Sequence, residues 1–90
     1  MEFVTFETSK KLKEKGFPLV DYIPTIFQAL KWLREEKKIA INVEFIPHVW
    51  QYKIVDMSFE GRFEPCGKIF YDEYEEAALA GIEYVLDNLI

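Results

Sequence analysis

The chain is poor in the residues that most often carry chemistry: 90 residues hold one cysteine, one histidine, four glycines and four prolines. A single cysteine, Cys66, excludes a disulfide framework within the chain. A single histidine, His48, excludes the paired-histidine zinc patterns. The scarce glycines build neither the phosphate-cradling P-loop nor the dinucleotide-binding fingerprint. No apolar run approaches the roughly 20 residues that span a bilayer. The amino terminus lacks the cationic, then apolar, then small-residue order of a secretory leader. Basic charge is also short, with 11 Lys/Arg against 16 Asp/Glu and a net charge of −5. Direct nucleic-acid binding needs phosphates to be neutralised and is disfavoured by that balance. The expectation is a cytoplasmic protein with no membrane contact, no cofactor and no metal.

What is abundant is apolar and aromatic surface. Half of the residues are hydrophobic, and eight Phe, five Tyr and two Trp are among them. Such a chain folds, because it has enough apolar area to offset the entropy of ordering. Its length fits one compact domain over residues 1–90. A core this small does not readily enclose so many large rings, so some of them are expected at the surface. Charge is unevenly spread: residues 1–38 carry eight Lys/Arg against six Asp/Glu, residues 39–90 three against ten.

Hydrophobic periodicity predicts the element order α-α-β-β-β-α, an α+β fold. The stretch FVTFETSKKLKEKGF reads as a helix with Thr5 as N-cap and Gly16 as its left-handed stop, Phe17 folding back on Leu12. Its lysines, Lys10, Lys11, Lys13 and Lys15, read as a solvated face. In TIFQALKWLREEKK, Thr25 and Gln28 form a capping box. Ile26, Ala29, Leu30 and Leu33 make the buried stripe, with Phe27 and Trp32 on its two shoulders. Next, Ile39, Ile41, Val43 and Phe45 alternate with small or polar residues, and Trp50, Tyr52 and Ile54 do so again. Folding about Pro47-His48 pairs Phe45 with Trp50, Val43 with Tyr52 and Ile41 with Ile54. Because proline cannot supply the positive φ of a primed turn, a four-residue loop is expected there. KIFY, residues 68–71, reads as a third antiparallel strand, and the helices are expected on one face of the sheet.

The terminal helix, starting at Asp72 with Glu75 as its capping partner, is apolar over most of its surface. Tyr74, Ala78, Ile82, Val85 and Leu89 form one stripe, which Leu79, Leu86 and Ile90 broaden. Glu73, Glu76, Ala80, Glu83 and Asp87 share a narrow wet face. Ala77 and Gly81 predict the close approach of a neighbour, because glycine inside a helix costs about 1 kcal/mol relative to alanine. A stripe this wide requires two neighbours: the sheet, and either the second helix or another subunit.

The pieces VTFETSKKLKEKGF, PTIFQALKWLREEKKIAINV and YDEYEEAALAGIEYVLDNLI, in that order, resemble a family of small proteins encoded by gut bacteria of the Bacteroides group and by their phages. Members show variants of KLLKEKGF, PT..A.KWLRE and YEEALEAGI. The counterparts here are KKLKEKGF, PTIFQALKWLRE and YEEAALAGI. The likeness covers most of the chain, while residues 47–70 depart freely. It implies a compact α+β domain of phage or mobile-element origin. It brings no catalytic residue, since its motifs are caps and packing positions.

Reactive residues do not converge in sequence. His48 reads as an exposed turn residue and Cys66 as a thiol without a partner. Asp56, Glu60 and Glu64 lack the dense oxygen spacing of a calcium loop. Glu75 and Glu76 point in different directions on a helix and make a poor acid–base pair. The expected function is that of a noncatalytic protein-binding module, with a protein partner or self-association into a homo-oligomer. Phe27, Trp32 and Leu86 are its candidate contacts. The alternative is an acidic decoy for a basic nucleic-acid-binding partner, acting through Glu73, Glu76, Glu83 and Asp87. A small enzyme is a third reading, disfavoured by the lack of polar groups able to share a pocket.

Overall fold

Local signals in the sequence set most of the architecture seen in the structure, a computed structural model that describes residues 3–18, 23–56, 62–63 and 70–90. Helix α1 (Phe6–Glu14) starts at Thr5, whose hydroxyl accepts from the Thr8 amide at 3.1 Å. It ends in a Schellman motif. Gly16, at φ 104°, donates to the Lys13 carbonyl, and Phe17 donates to the Leu12 carbonyl at 3.0 Å. The fold-back of Phe17 onto the helix is thus present, and both residues are core. Helix α2 (Ile26–Glu36) opens with the complete Thr25/Gln28 capping box. Phe3 bridges Thr25, and Val4 donates to the Pro24 carbonyl at 3.0 Å, so the entry to α1 is tied to the entry to α2.

Lys38, at φ 58°, turns the chain from α2 into strand β1 (Ile39–Ile46). Strand β2 (Val49–Asp56) returns antiparallel with Phe45 opposite Trp50, Val43 opposite Tyr52 and Ile41 opposite Ile54. That register is the one the alternation predicts. The connection differs, because Ile46 pairs with Val49 and only Pro47 and His48 intervene. A type II turn needs positive φ at its second central residue alone, and His48 supplies it at φ 76°. Proline's fixed negative φ suits the first central position, so the four-residue loop is unnecessary.

Beside the far edge of β2, two residues, β3 (Arg62–Phe63), pair with Ile54 and Val55. Among the described residues no full-length third strand is present. Lys68 and Ile69 of the expected one lie outside the described residues. Its last residue, Tyr71, makes an isolated bridge to Trp50. What is shown is an α+β fold of three helices on an antiparallel hairpin.

Helix α3 (Tyr74–Asn88) begins one residue later than expected: Glu73, not Asp72, is the N-cap, and no side chain caps it. The helix lies on the apolar face of the hairpin. A β-carbon on Gly81 would stand 2.7 Å from Ile41 Cγ2 and 3.1 Å from the Tyr52 ring, which is the close approach that Ala77 and Gly81 predict. Ile54, Ile82, Val85, Leu33 and Leu12 are fully buried, and Tyr52 nearly so, in the core that joins all three helices to the sheet. Leu86 belongs to this core as well, at 3 % exposure, which corrects its assignment as a contact residue. Within the chain α3 meets the hairpin, α2 and α1; Ala78, Ile82, Val85 and Leu86 of its broad stripe are buried, while Tyr74 at its start stays exposed.

Candidate functional site

Three aromatic side chains stand together at the hairpin-tip end of the helix-covered face. Phe45 meets Trp50 at 4.9 Å between ring centroids, and Trp50 meets Tyr74 edge-on at 5.5 Å. Alternation puts Phe45 and Trp50 on the same face, and Tyr74 enters from the first turn of α3. The inner pairs of that face lie under α3, but its outer end is bare: Phe45 is 61 % exposed and Tyr74 40 %. Tyr74 also borders a groove of ≈180 Å³. Phe27, Leu30, Lys31 and Arg34 line its α2 side, and Ala40, Ile41 and Asn42 its β1 side. Phe27, on one shoulder of α2, is 69 % exposed. Rings on both sides of the groove, with two cations on its rim, make a surface suited to protein contact.

The groove opens along the outer edge of β1. Among the described residues nothing pairs with that edge, since the sheet order is β1-β2-β3. The direction of the backbone groups follows from the other side of the hairpin. Trp50 exchanges both backbone hydrogen bonds with Tyr71, at 2.8 and 2.9 Å, so its amide and carbonyl point away from β1. The Phe45–Trp50 pair is then the non-hydrogen-bonded kind, and Phe45 directs its own amide and carbonyl outward. By alternation Ile41 and Val43 do the same. The strand has no proline, no lysine and no break in its register, the usual devices that blunt an edge.

The expected contact residues separate. Phe27 lines the groove. Trp32 lies on the opposite shoulder of α2, its ring against Phe17 at 5.3 Å with the Lys37 ammonium 5.4 Å above it. It belongs to a second groove, of ≈240 Å³, that Phe17 and Pro18 share. Leu86 is core. Glu76 is exposed, whereas Glu83 accepts a hydrogen bond from the buried Thr8 hydroxyl at 2.9 Å. One turn on, Asp87 pairs with Lys11 at 3.0 Å. The hydrogen bond that Lys11 donates to Asp87 is the main reason the Lys11 ammonium is held above its usual range. Two of the four carboxylates on the supposed wet face therefore fasten α1 to α3, which leaves the acidic-decoy reading with Glu73 and Glu76.

The Thr8 clasp gives a direct expectation. Thr8 accepts from the Thr5 hydroxyl and donates to Glu83. Thr8→Val keeps the shape and deletes both bonds, so a half-buried carboxylate loses its donor, at a cost of about 1–2 kcal/mol. Urea unfolding measures it. Glu83→Gln, which keeps an acceptor, should cost less, and equal losses for the two variants would contradict the clasp.

Sequence reasoning missed Phe45, Trp50 and Tyr74 as site residues, although it placed the first two opposite each other. The available signal was length. The apolar face of the hairpin runs beyond the end of the helix that covers it, so its last pair is left uncovered. Tyr52 and Tyr71 have phenols raised above the usual range, by burial first and by neighbouring phenols or carboxylates second. Tyr52 stands 6.3 Å from Tyr71 and 6.4 Å from Tyr84, and this cluster is structural.

His48 is exposed in its turn, and Cys66 lies outside the described residues, as do Glu60 and Glu64. Among the described residues no three of His, Cys, Asp and Glu gather as metal ligands would, and no helix is long and apolar enough to cross a membrane. Comparison of the chain with protein-family models, with curated proteins and with solved structures gives no match.

Proposed function

We propose that the chain is a noncatalytic protein-binding module whose contact surface is the aromatic groove between α2, β1 and the start of α3. The observation that carries this reading is the exposure of Phe27 and Tyr74 on the groove, with the exposed Phe45 beside it, reaching Tyr74 through the Trp50 ring. Scattered exposed apolar residues are ordinary on any protein; several rings about one concave site are characteristic of interfaces. The reading takes the sheet to be a three-stranded meander completed by the segment that ends at Tyr71, which the Trp50–Tyr71 bridge supports. β1 is then its open edge. The likeness to proteins of Bacteroides-group bacteria and their phages belongs to the same proposal, as does a cytoplasmic setting.

The test compares two baits in the native host, the wild type and a Phe27→Ser/Phe45→Ser variant. Both side chains are largely exposed, so the variant should fold with a stability change near ±0.5 kcal/mol per site. A partner, or a second copy of the chain, that the wild type retains and the variant loses is the expected result. Retention by both baits, or by neither, overturns the reading.

A further inference from the structure

We infer that the occupant of the groove is a second copy of this chain, added edge to edge along β1 in the antiparallel register that places Val43 opposite Val43 of the other copy. The inference rests on the binding-module reading and specifies its partner. Two backbone facts carry it. Ile41, Val43 and Phe45 direct their amides and carbonyls to the open edge, as derived above from the Trp50–Tyr71 bonds. Their side chains all lie on the helix-covered face. A two-fold axis at Val43 therefore pairs Phe45 of each copy with Ile41 of the other. Ile41 is where the groove lies, two residues along the strand from Val43. The exposed Phe45 ring of one copy would thus enter the groove of the other, twice, and bury Phe27 and Tyr74.

The opposite face of the strand selects the register. It presents Ala40, Asn42 and Glu44. With Val43 on the axis, each Asn42 faces Glu44 of the other copy in a non-hydrogen-bonded pair, where side chains come closest. The amide then donates to the carboxylate. An axis at Glu44 would oppose two carboxylates directly, which is unfavourable. An axis at Asn42 would carry Phe45 to Ile39, past the groove. The aromatic surface available is on the order of 300 Å² per copy, given the size of such rings, so the pair sits near the small end of specific interfaces.

The experiment is sedimentation equilibrium of the full chain, with reductant present so that Cys66 cannot link copies. Amide hydrogen exchange is followed at the same concentrations. Wild type should shift from monomer toward dimer between about 5 and about 500 µM, as an interface of this size implies. Exchange at Ile41, Val43 and Phe45 should slow in step. Asn42→Glu puts two carboxylates opposite each other at both ends of the pairing and should weaken the dimer about tenfold. Within one copy Asn42 is exposed and faces Lys53, so this substitution leaves the fold intact. Adding Glu44→Lys should restore association, because each introduced carboxylate then faces an introduced ammonium of the other copy; with the axis at Asn42 it would not. A wild type that stays monomeric overturns the inference. So does a dimer whose β1 amides exchange freely, or one indifferent to Asn42→Glu. A monomeric wild type whose Phe27→Ser/Phe45→Ser variant loses a captured partner would leave the module reading standing and assign the groove to another protein.

Discussion

Leu86→Ala will cost about 3 kcal/mol of stability, within the range measured for leucine truncation in well-packed cores. Leu86 is 3 % exposed and sits in the cluster with Leu33, Ile82 and Val85. Its loss removes the transfer free energy of three carbons and leaves a cavity whose helical walls cannot collapse. For a domain of this size each kcal/mol lowers the melting temperature by about 4–8 °C, so a fall of more than 10 °C is expected in a thermal scan. Phe27→Ala is the matched control. It deletes more carbon atoms from an equally apolar helix position, yet Phe27 is 69 % exposed and the expected change is within about 0.5 kcal/mol. Association should respond in the opposite order, with Phe27→Ala weakening it and Leu86→Ala doing so only as far as the fold is lost. Comparable stability losses for the two would mean that Leu86 is not enclosed.

The contrast between these two residues shows why the sequence reads well locally and poorly between elements. Capping residues act within one turn of chain, and Thr5, Thr25 and Gln28 are legible from spacing alone. The hairpin register is legible because a slip of one residue would turn Val43 and Tyr52 to water. Gly81 is legible because glycine in a helix needs a packing reason, although the sequence does not say that Ile41 and Tyr52 supply it. Leu86 and Phe27, by contrast, both lie on the margins of wide apolar stripes. Which margin is covered depends on where the neighbouring helices cross, and that is a long-range property. The same limit hid the role of Glu83 and Asp87. On a helical wheel they mark a wet face; in the fold that face receives α1 through Thr8 and Lys11. The Pro47-His48 turn is illegible for a different reason: proline bars a primed turn, but His48 alone supplies the positive φ that a two-residue type II connection needs.

The covered stripe changes what remains for binding. The hairpin and α2 bury Ala78, Ile82, Val85 and Leu86, so most of the hydrophobic excess of α3 is explained within one chain. Part of the remaining exposed apolar surface lies at the end of the hairpin and the flank of α2, apart from Phe3 and Phe6 near the amino terminus. There Phe27 and Tyr74 border the edge of β1, which carries the exposed Phe45 and which nothing among the described residues pairs with. A strand edge and a ring-lined groove at one place favour strand addition over a flat helix-to-helix contact. This is also why Trp32, despite being a tryptophan on an apolar arc, is the weaker contact: its ring already packs on Phe17 and under Lys37.

Gly81→Ala separates the spacing of α3 from the chemistry of the groove. In an open helix this change gains about 1 kcal/mol. Here the added methyl group would stand 2.7 Å from Ile41 Cγ2 and 3.1–3.2 Å from the Tyr52 ring. Cγ2 is fixed to the β-carbon of a β-branched strand residue, and the ring is buried, so neither yields by a rotamer change. Relief requires α3 to move off the sheet. Overpacking of this kind costs about 1–3 kcal/mol, and against the gain in propensity it leaves a net loss of up to about 2 kcal/mol. Ile41→Ala removes the obstructing methyl group and by itself costs about 2 kcal/mol. Combined, the two should cost at least about 1 kcal/mol less than their sum, because the new methyl group occupies space the isoleucine vacates. Strict additivity in urea denaturation would show that Gly81 does not set the distance between helix and sheet. The same displacement has a second readout. Tyr74 stands on α3 two turns before Gly81, so lifting the helix draws Tyr74 away from Ile41 and widens the groove. Gly81→Ala should therefore weaken both stability and self-association, whereas Asn42→Glu should weaken association alone.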